Sequence, residues 1–164
     1  AAQAAEAAGM LRTRFAADPG FPGAVREMRQ RLERAEPGGQ NFKTSPGAVY
    51  DIDFVACYLA IRYDLDGGCG NLRQRLAWLR ERQFLDKSDW VTLDSAGELF
   101  RAVEHAVRLV VGKARKSLPA TEHGSHAAER LTGRLLRRDF AGGLAAELAR
   151  TFAEVRSVYE RLLQ

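Results

Sequence analysis

Apolar residues recur every three or four positions through most of the chain, which is the spacing of one face of an α-helix. The clearest stripe lies near the C-terminus and consists of Phe140, Leu144, Leu148, Phe152, Val155, Tyr159 and Leu162. The pattern predicts helices over residues 1–17, 24–35, 45–63, 71–83, 87–116, 125–137 and from Asp139 to the end. No strand-turn-strand pattern or internal repeat interrupts them. We therefore predict an all-α fold, a bundle of about six or seven helices with no sheet.

The segment from Ser45 to Tyr63 is nearly all apolar, and such a run alone does not separate a buried strand from a buried helix. At about 17 residues the run is too long for a typical strand and suits a central helix. Ser45-Pro46 is typical of an N-cap followed by the first helical position. In the helix before it, Val25, Met28 and Leu32 have the spacing of an apolar face.

Turn residues separate the helices but do not divide the chain. Glu36–Asn41 is predicted to be a loop, Asp66–Gly70 a turn, and Leu118-Pro119 the end of the long helix. We expect residues 1–164 to form one domain. Because the chain opens without Met on an Ala-rich stretch, and both ends look helical, we expect it to be part of a larger protein.

Composition narrows the class of protein. The chain is 46% hydrophobic and 28% charged, which is typical of a folded domain. No apolar run approaches the roughly 20 residues of a membrane helix, so no membrane partner is expected. The net charge is +4, but arginines alternate with glutamates as on solvated helix faces, so no nucleic-acid partner is expected. Two cysteines, Cys57 and Cys69, suit a cytoplasmic location, with Cys57 predicted in the core.

Asp51-Ile52-Asp53-Phe54 has the form of a carboxylate pair for two-metal catalysis, and the upstream Gly38-Gly39 pair strengthens that interpretation. On a strand the two carboxylates would share a face. On a helix they point roughly 200° apart, because each residue turns about 100°. Since the surrounding pattern is helical, we favour capping and dipole compensation for both aspartates. A catalytic nucleotidyltransferase that uses Asp51 and Asp53 remains an alternative.

Other polar clusters predict little chemistry. Arg101, Glu104 and His105 share one side of a helix, where either a buried polar network or an interdomain contact would suit them. His123 and His126 lack a third ligand, so no metal site is expected. No nucleophile motif is present, and no catalytic residue is assigned.

The segment Asn41-Phe42-Lys43-Thr44-Ser45-Pro46-Gly47-Ala48-Val49-Tyr50-Asp51-Ile52-Asp53-Phe54 resembles the K-x-G-x-G-G-x-x-D-I-E-F segment of glutamine synthetase adenylyltransferases. Ser45 and Ala48 replace glycines, and Asp53 replaces Glu. Residues 26–33 and 99–105 resemble two further helices of that family, and the resemblance covers about residues 24–164. Related helical domains occur in PII-protein uridylyltransferases. In the family this helical domain follows a nucleotidyltransferase domain.

The resemblance implies a helical substrate-positioning or regulatory domain of an enzyme that adenylylates and deadenylylates glutamine synthetase in nitrogen regulation. Mg²⁺ and ATP are implied for the parent enzyme, and no cofactor is expected in this fragment. The implied partners are the upstream nucleotidyltransferase domain and glutamine synthetase, with the PII signal protein as a further candidate. The implied contacts with nucleotide, phosphate or the neighbouring domain involve Lys43, Asp51, Asp53, Arg101, Glu104 and His105. The alternative is a helical protein-interaction module unrelated to nucleotidyl transfer.

Overall fold

A computed structural model of the chain describes residues 2–35, 41–65 and 70–164, with side chains from residue 6 onward. The described residues form seven helices and no strand: α1 (Ala2–Ala16), α2 (Phe21–Ala35), α3 (Val49–Arg62), α4 (Leu72–Glu81), α5 (Lys87–Val111), α6 (Glu122–Leu136) and α7 (Gly143–Leu162). The predicted all-α bundle is confirmed. Gly38-Gly39, Cys69 and most of the two predicted turns at 36–41 and 66–70 lie outside the described residues.

Helix α3 is the central element, because it contacts α1, α2, α4, α5 and α7. Its inner positions, including Ile52 and Val55, are fully buried. Helix α5 packs against α3, α4 and α7, and α6 packs against α5. The rings of Phe100 on α5 and Phe152 on α7 stack with their centroids 5.3 Å apart. Burial of these apolar faces is the main stabilising contribution to the bundle.

Several helix boundaries differ from the sequence prediction. Helix α3 begins at Val49, because Gly47 has a left-handed φ of 79° that a helix does not accept. Ser45 is not the N-cap; its hydroxyl accepts the Asn41 N–H at 2.8 Å. Helix α5 ends at Val111, well before Leu118-Pro119, because Gly112 adopts the left-handed conformation typical of a helix end.

Three other helices start at different residues from those predicted. Helix α2 starts at Phe21, earlier than predicted, with Pro22 in the first turn, where its missing N–H costs little. Helix α6 starts at Glu122, because the Thr121 side chain caps it. Helix α7 starts at Gly143 and not at Asp139. The predicted stripe of α7 does face the core, with Leu144, Leu148, Phe152, Val155 and Tyr159 all buried.

Burial differs from what the sequence pattern suggests on α2 and α3. The face of α2 that carries Met28 and Leu32 is largely exposed, with these side chains 60% and 36% accessible to solvent. The prediction that Cys57 lies in the core was wrong, because Cys57 occupies an outer position of α3 and is exposed. There its thiol accepts a hydrogen bond from Arg75 Nη1 at 3.1 Å. No helix among the described residues is both long and apolar enough to cross a membrane.

Candidate functional site

The two aspartates of the 51–54 motif lie on α3 and point in different directions. Asp51 is fully buried and faces α2 and α7. Asp53 is half-buried and accepts a hydrogen bond from Arg75 Nη2 of α4 at 2.7 Å. Because successive helical residues turn about 100°, residues two apart cannot present their side chains to one point. The carboxylates therefore do not face a shared ion.

Asp51 is held by donors from three parts of the chain. Arg29 Nε of α2 lies 2.5 Å from its Oδ1. The Gly47 N–H donates to Oδ2 at 2.7 Å, and Arg156 Nη1 of α7 donates to the same oxygen at 3.2 Å. Both oxygens are thus engaged by groups of the protein itself. We interpret Asp51 as a structural anchor whose partners would have to leave before it could hold a cation.

Arg29, the positively charged partner of Asp51, is also fully buried. Its Nη2 donates to the carbonyl oxygens of Thr44 and Ser45, each at 3.0 Å. Its Nη1 lies 3.3 Å from Glu33 Oε1, within ion-pair distance but without hydrogen-bond geometry. A buried guanidinium is tolerated only where charge and hydrogen bonds compensate its desolvation. Arg29 consequently fastens the segment 41–48 to α2.

Arg156 extends the cluster to the surface. Its Nη1 lies 2.6 Å from Glu33 Oε1, and its Nε donates to Glu160 at 2.7 Å. Its guanidinium also lies over the ring of Tyr159, 4.9 Å from the centroid. Arg29, Glu33, Asp51 and Arg156, which we name the Asp51 cluster, therefore join α2, α3 and α7.

The surroundings shift the protonation equilibria of this cluster. Burial raises the pKa of Asp51, an effect that the positive charge of Arg29, the Gly47 N–H and Arg156 oppose. Burial and the nearby charge of Asp51 raise the pKa of the Tyr159 phenol. Burial acts to lower the pKa of Arg156, but the hydrogen bond to Glu160 and the charges of Asp51 and Glu33 outweigh it, so its pKa rises. Arg156 therefore stays charged.

The other side of α3 borders a small cavity of about 240 Å³ between α3, α4 and α5. Asp53 and Arg101, both predicted from the sequence, line it. At its edge Arg73 Nε lies 3.2 Å from Asp94 Oδ1, and Asp94 is largely buried. The cavity thus presents guanidinium and carboxylate groups around an apolar floor.

Lys43 lies near this side of the bundle, where its Nζ is 3.5 Å from Glu104 Oε1. Arg108 Nη2 is also near that carboxylate, at 3.8 Å. Arg101 and His105 are exposed, so the buried polar network suggested for residues 101–105 is wrong. The reason is that positions 102, 103 and 106 of α5 face the core instead.

Six residues were proposed as contacts from the sequence, and the structure divides them. Asp51 belongs to the Asp51 cluster, Asp53 and Arg101 line the cavity, Lys43 pairs with Glu104, and His105 is exposed on α5. Sequence reasoning missed Arg29 and Arg156, since nothing in a charged, amphipathic helix marks which arginine turns inward. The one available signal was the shortage of apolar residues on α2, which leaves a polar side chain to fill an inward position.

Metal ligands are not grouped in the described part of the chain. No three His, Cys, Asp or Glu side chains there come together in a way that would hold an ion. His123 and His126 lie in the first turn and a half of α6.

Comparison with known proteins identifies the family. Residues 21–163 match the sequence model of the GlnD PII-uridylyltransferase family, which covers most of the chain. The chain belongs to this family. The match begins close to residue 24, where the predicted resemblance begins, and the suspected relationship is confirmed.

This member of the PII-uridylyltransferase family also resembles a curated protein. It is 30% identical over 150 residues to the bifunctional glutamine synthetase adenylyltransferase/adenylyl-removing enzyme of Streptomyces coelicolor. The alignment covers 85% of the chain and 15% of that enzyme. The chain thus spans about a seventh of the length of the curated relative that it matches.

Proposed function

We propose that the chain is a helical substrate-positioning or regulatory domain of a nucleotidyltransferase that adenylylates and deadenylylates glutamine synthetase. The observation that carries this proposal is the 30% identity to an enzyme named for both reactions, of which the chain corresponds to only 15%. Family membership supports the same helical role. In this proposal the neighbouring nucleotidyltransferase domain, glutamine synthetase and the PII signal protein are the partners, and the cytoplasm is the location.

The chemistry of the described residues supports a role without catalysis. Mg²⁺ prefers several oxygen ligands in octahedral geometry. Asp51 is engaged by two arginines and a backbone N–H, and Asp53 is paired with Arg75, so this donor set does not fit the ion. In the proposed enzyme, Mg²⁺ and ATP are therefore held by the neighbouring domain.

Lys43, Arg101 and Glu104 supply the proposed contact surface. Lys43 precedes α3, and its long side chain is 43% exposed, so its ammonium can exchange Glu104 for a phosphate or a partner carboxylate. Arg101 lies exposed at the mouth of the neighbouring cavity. His105 is exposed on the same helix as Arg101 and adds a further surface contact in this proposal.

A direct test measures binding of the 164-residue chain to immobilised glutamine synthetase by biolayer interferometry. We expect saturable binding that the double variant Lys43→Gln/Arg101→Gln weakens several-fold. Arg31→Gln is the matched control, because Arg31 is exposed on α2 and its one ion pair among the described residues is with Glu27 of its own helix. In a parallel assay with ATP and Mg²⁺ the chain should transfer no AMP. Transfer of AMP, or binding equally unaffected by both variants, would contradict the proposal.

One observation favours the second candidate function, a helical protein-interaction module unrelated to nucleotidyl transfer. An apolar groove of about 660 Å³ lies between α1, α2 and α3 and is bordered by Phe15, Phe21, Val25, Met28 and Phe54. Groove-forming helices with exposed apolar side chains are common at protein interfaces. The sequence encoded next to this chain distinguishes the two functions. A G-S-x-x-D-x-D motif in β-rich sequence there supports nucleotidyl transfer, and its absence favours the interaction module.

A further inference from the structure

The C-terminal end of α6 borders a concave pocket of about 420 Å³ that lies apart from the candidate contacts described above. Four arginines line it: Arg130, Arg134, Arg137 and Arg138, which we name the arginine pocket. All four are exposed. The volume is at the small end of the range for ligand sites, which suits a compact ligand and not an extended chain.

Two acidic residues, Glu129 and Asp139, line the pocket beside its four arginines, and Glu129 is already engaged. Glu129 accepts the Leu144 N–H at 3.0 Å and so caps the first turn of α7. Arg138 lies 3.1 Å from Glu147. Within the described residues, Arg130, Arg134 and Arg137 have no carboxylate within 4.0 Å. Three guanidinium groups therefore remain available in one concavity, beside the single exposed carboxylate of Asp139.

This arrangement is unfavourable for the fold in two ways. Arg130 and Arg134 are four residues apart on one helix, where like charges repel. Arg137 adopts a left-handed φ of 54° at the C-cap of α6, a position where glycine is usual. Gly133 permits the chain that follows α6 to lie close to the helix, since a Cβ there would lie 2.9 Å from the Arg138 carbonyl oxygen. The negative end of the α6 dipole favours nearby cations but provides only part of a compensating charge.

We propose that the arginine pocket binds a small ligand that carries two or more linked phosphate groups. A guanidinium presents its donors in a planar fork that matches two oxygens of a phosphate group. Linked phosphates place several such oxygen pairs and at least two negative charges within a pocket of this size. A bound polyanion would also remove the repulsion between Arg130 and Arg134. This site is independent of the function proposed above.

The test titrates the 164-residue chain with inorganic pyrophosphate by isothermal titration calorimetry at 0.15 M salt. We expect saturable binding at one site. The double variant Arg130→Gln/Arg134→Gln should raise Kd at least about tenfold, which corresponds to about 1.4 kcal/mol. The matched control is Arg31→Gln/Arg34→Gln, which removes the same charge from the exposed face of α2 and should leave Kd within twofold of the unmodified chain.

Further arms separate the possible sources of an anion signal. Succinate should bind at least tenfold more weakly than pyrophosphate, and a poly-glutamate peptide should not displace it. Backbone amide NMR shifts on titration of the unmodified chain should concentrate at residues 130–140, whether or not a variant folds. Equal loss of affinity in the two double variants would overturn the proposal. So would absence of saturable binding, equal affinity for succinate, or shifts located elsewhere.

Discussion

At the scale of single residues, Gly47 allows the segment before α3 to lie directly on α7. Its φ is 79°, and a Cβ at this position would be 1.8 Å from the carbonyl oxygen of Phe152. Its N–H is bound by Asp51, so the residue is fixed from both sides. Only a residue without a Cβ combines this conformation with this approach.

We therefore expect Gly47→Ala to lower the free energy of unfolding by at least about 3 kcal/mol, because the backbone of α7 or of residues 45–48 must shift. Urea denaturation followed by circular dichroism measures this. Gly97→Ala is the control: Gly97 lies inside α5, and an added Cβ would meet no atom within 4 Å beyond its own chain neighbours and the local helix backbone. That variant should gain up to about 1 kcal/mol from helix propensity. Similar stability of the two variants would contradict the packing described at Gly47.

At the scale of helices, the apolar pattern predicted which segments are helical, whereas local side-chain bonds fix where α4, α5 and α6 begin. The pattern predicts a helix from residue 71, and the structure shows a full capping box there between Asn71 and Gln74. The start of α3 could not be predicted, because it depends on the contact between Gly47 and Phe152 of α7, which lies far along the chain. The exposure of Cys57 could not be predicted either, because an apolar run does not show which of its positions face outward. Sequence spacing carries no information about such distant neighbours.

The beginning of α5 shows how such a local bond responds to pH. The side chain of Asp86 accepts the Asp89 N–H at 2.8 Å and the Ser88 hydroxyl at 3.0 Å. The bond from the Asp89 N–H and the bond from Ser88 hold the pKa of Asp86 below its ordinary value of 3.8. A carboxyl with a lowered pKa stabilises the folded state above its unfolded pKa and loses that contribution as pH falls through the folded value.

We accordingly expect Asp86→Ala to cost about 1 kcal/mol of the free energy of unfolding at pH 7, as is usual for loss of an N-cap. The difference from the unmodified chain should shrink as pH falls below about 3.8, the ordinary Asp value. Asp86→Asn keeps a capping oxygen that does not titrate, so its stability at pH 7 should be close to that of the unmodified chain. Urea denaturation between pH 7 and pH 3 provides the comparison. A difference for Asp86→Ala that is independent of pH would contradict the cap.

At the scale of the whole molecule, the Asp51 cluster joins helices from both ends of the sequence. Arg29 comes from α2, Asp51 from α3 and Arg156 from α7, and their charges meet where the apolar core reaches segment 41–48. The family motif around residue 51 is thus explained here by packing and charge compensation. The partners of Asp51 could not be predicted from the motif, since Arg29 and Arg156 lie 22 and 105 residues away from it.

Asp51 holds the bundle together, whereas half-buried Asp53 forms a partly solvated ion pair with Arg75, and one comparison of unfolding free energies tests this difference. At pH 7, Asp51→Asn should lose about 3–5 kcal/mol, because it breaks the buried ion pair with Arg29 and leaves Glu33 as the one remaining carboxylate beside that guanidinium among the described residues. Asp53→Asn should lose less than about 1 kcal/mol, because its partner Arg75 is partly solvated. Equally small losses in both variants, together with stabilisation of the unmodified chain by Mg²⁺ that both variants abolish, would contradict the claim and restore the carboxylate pair.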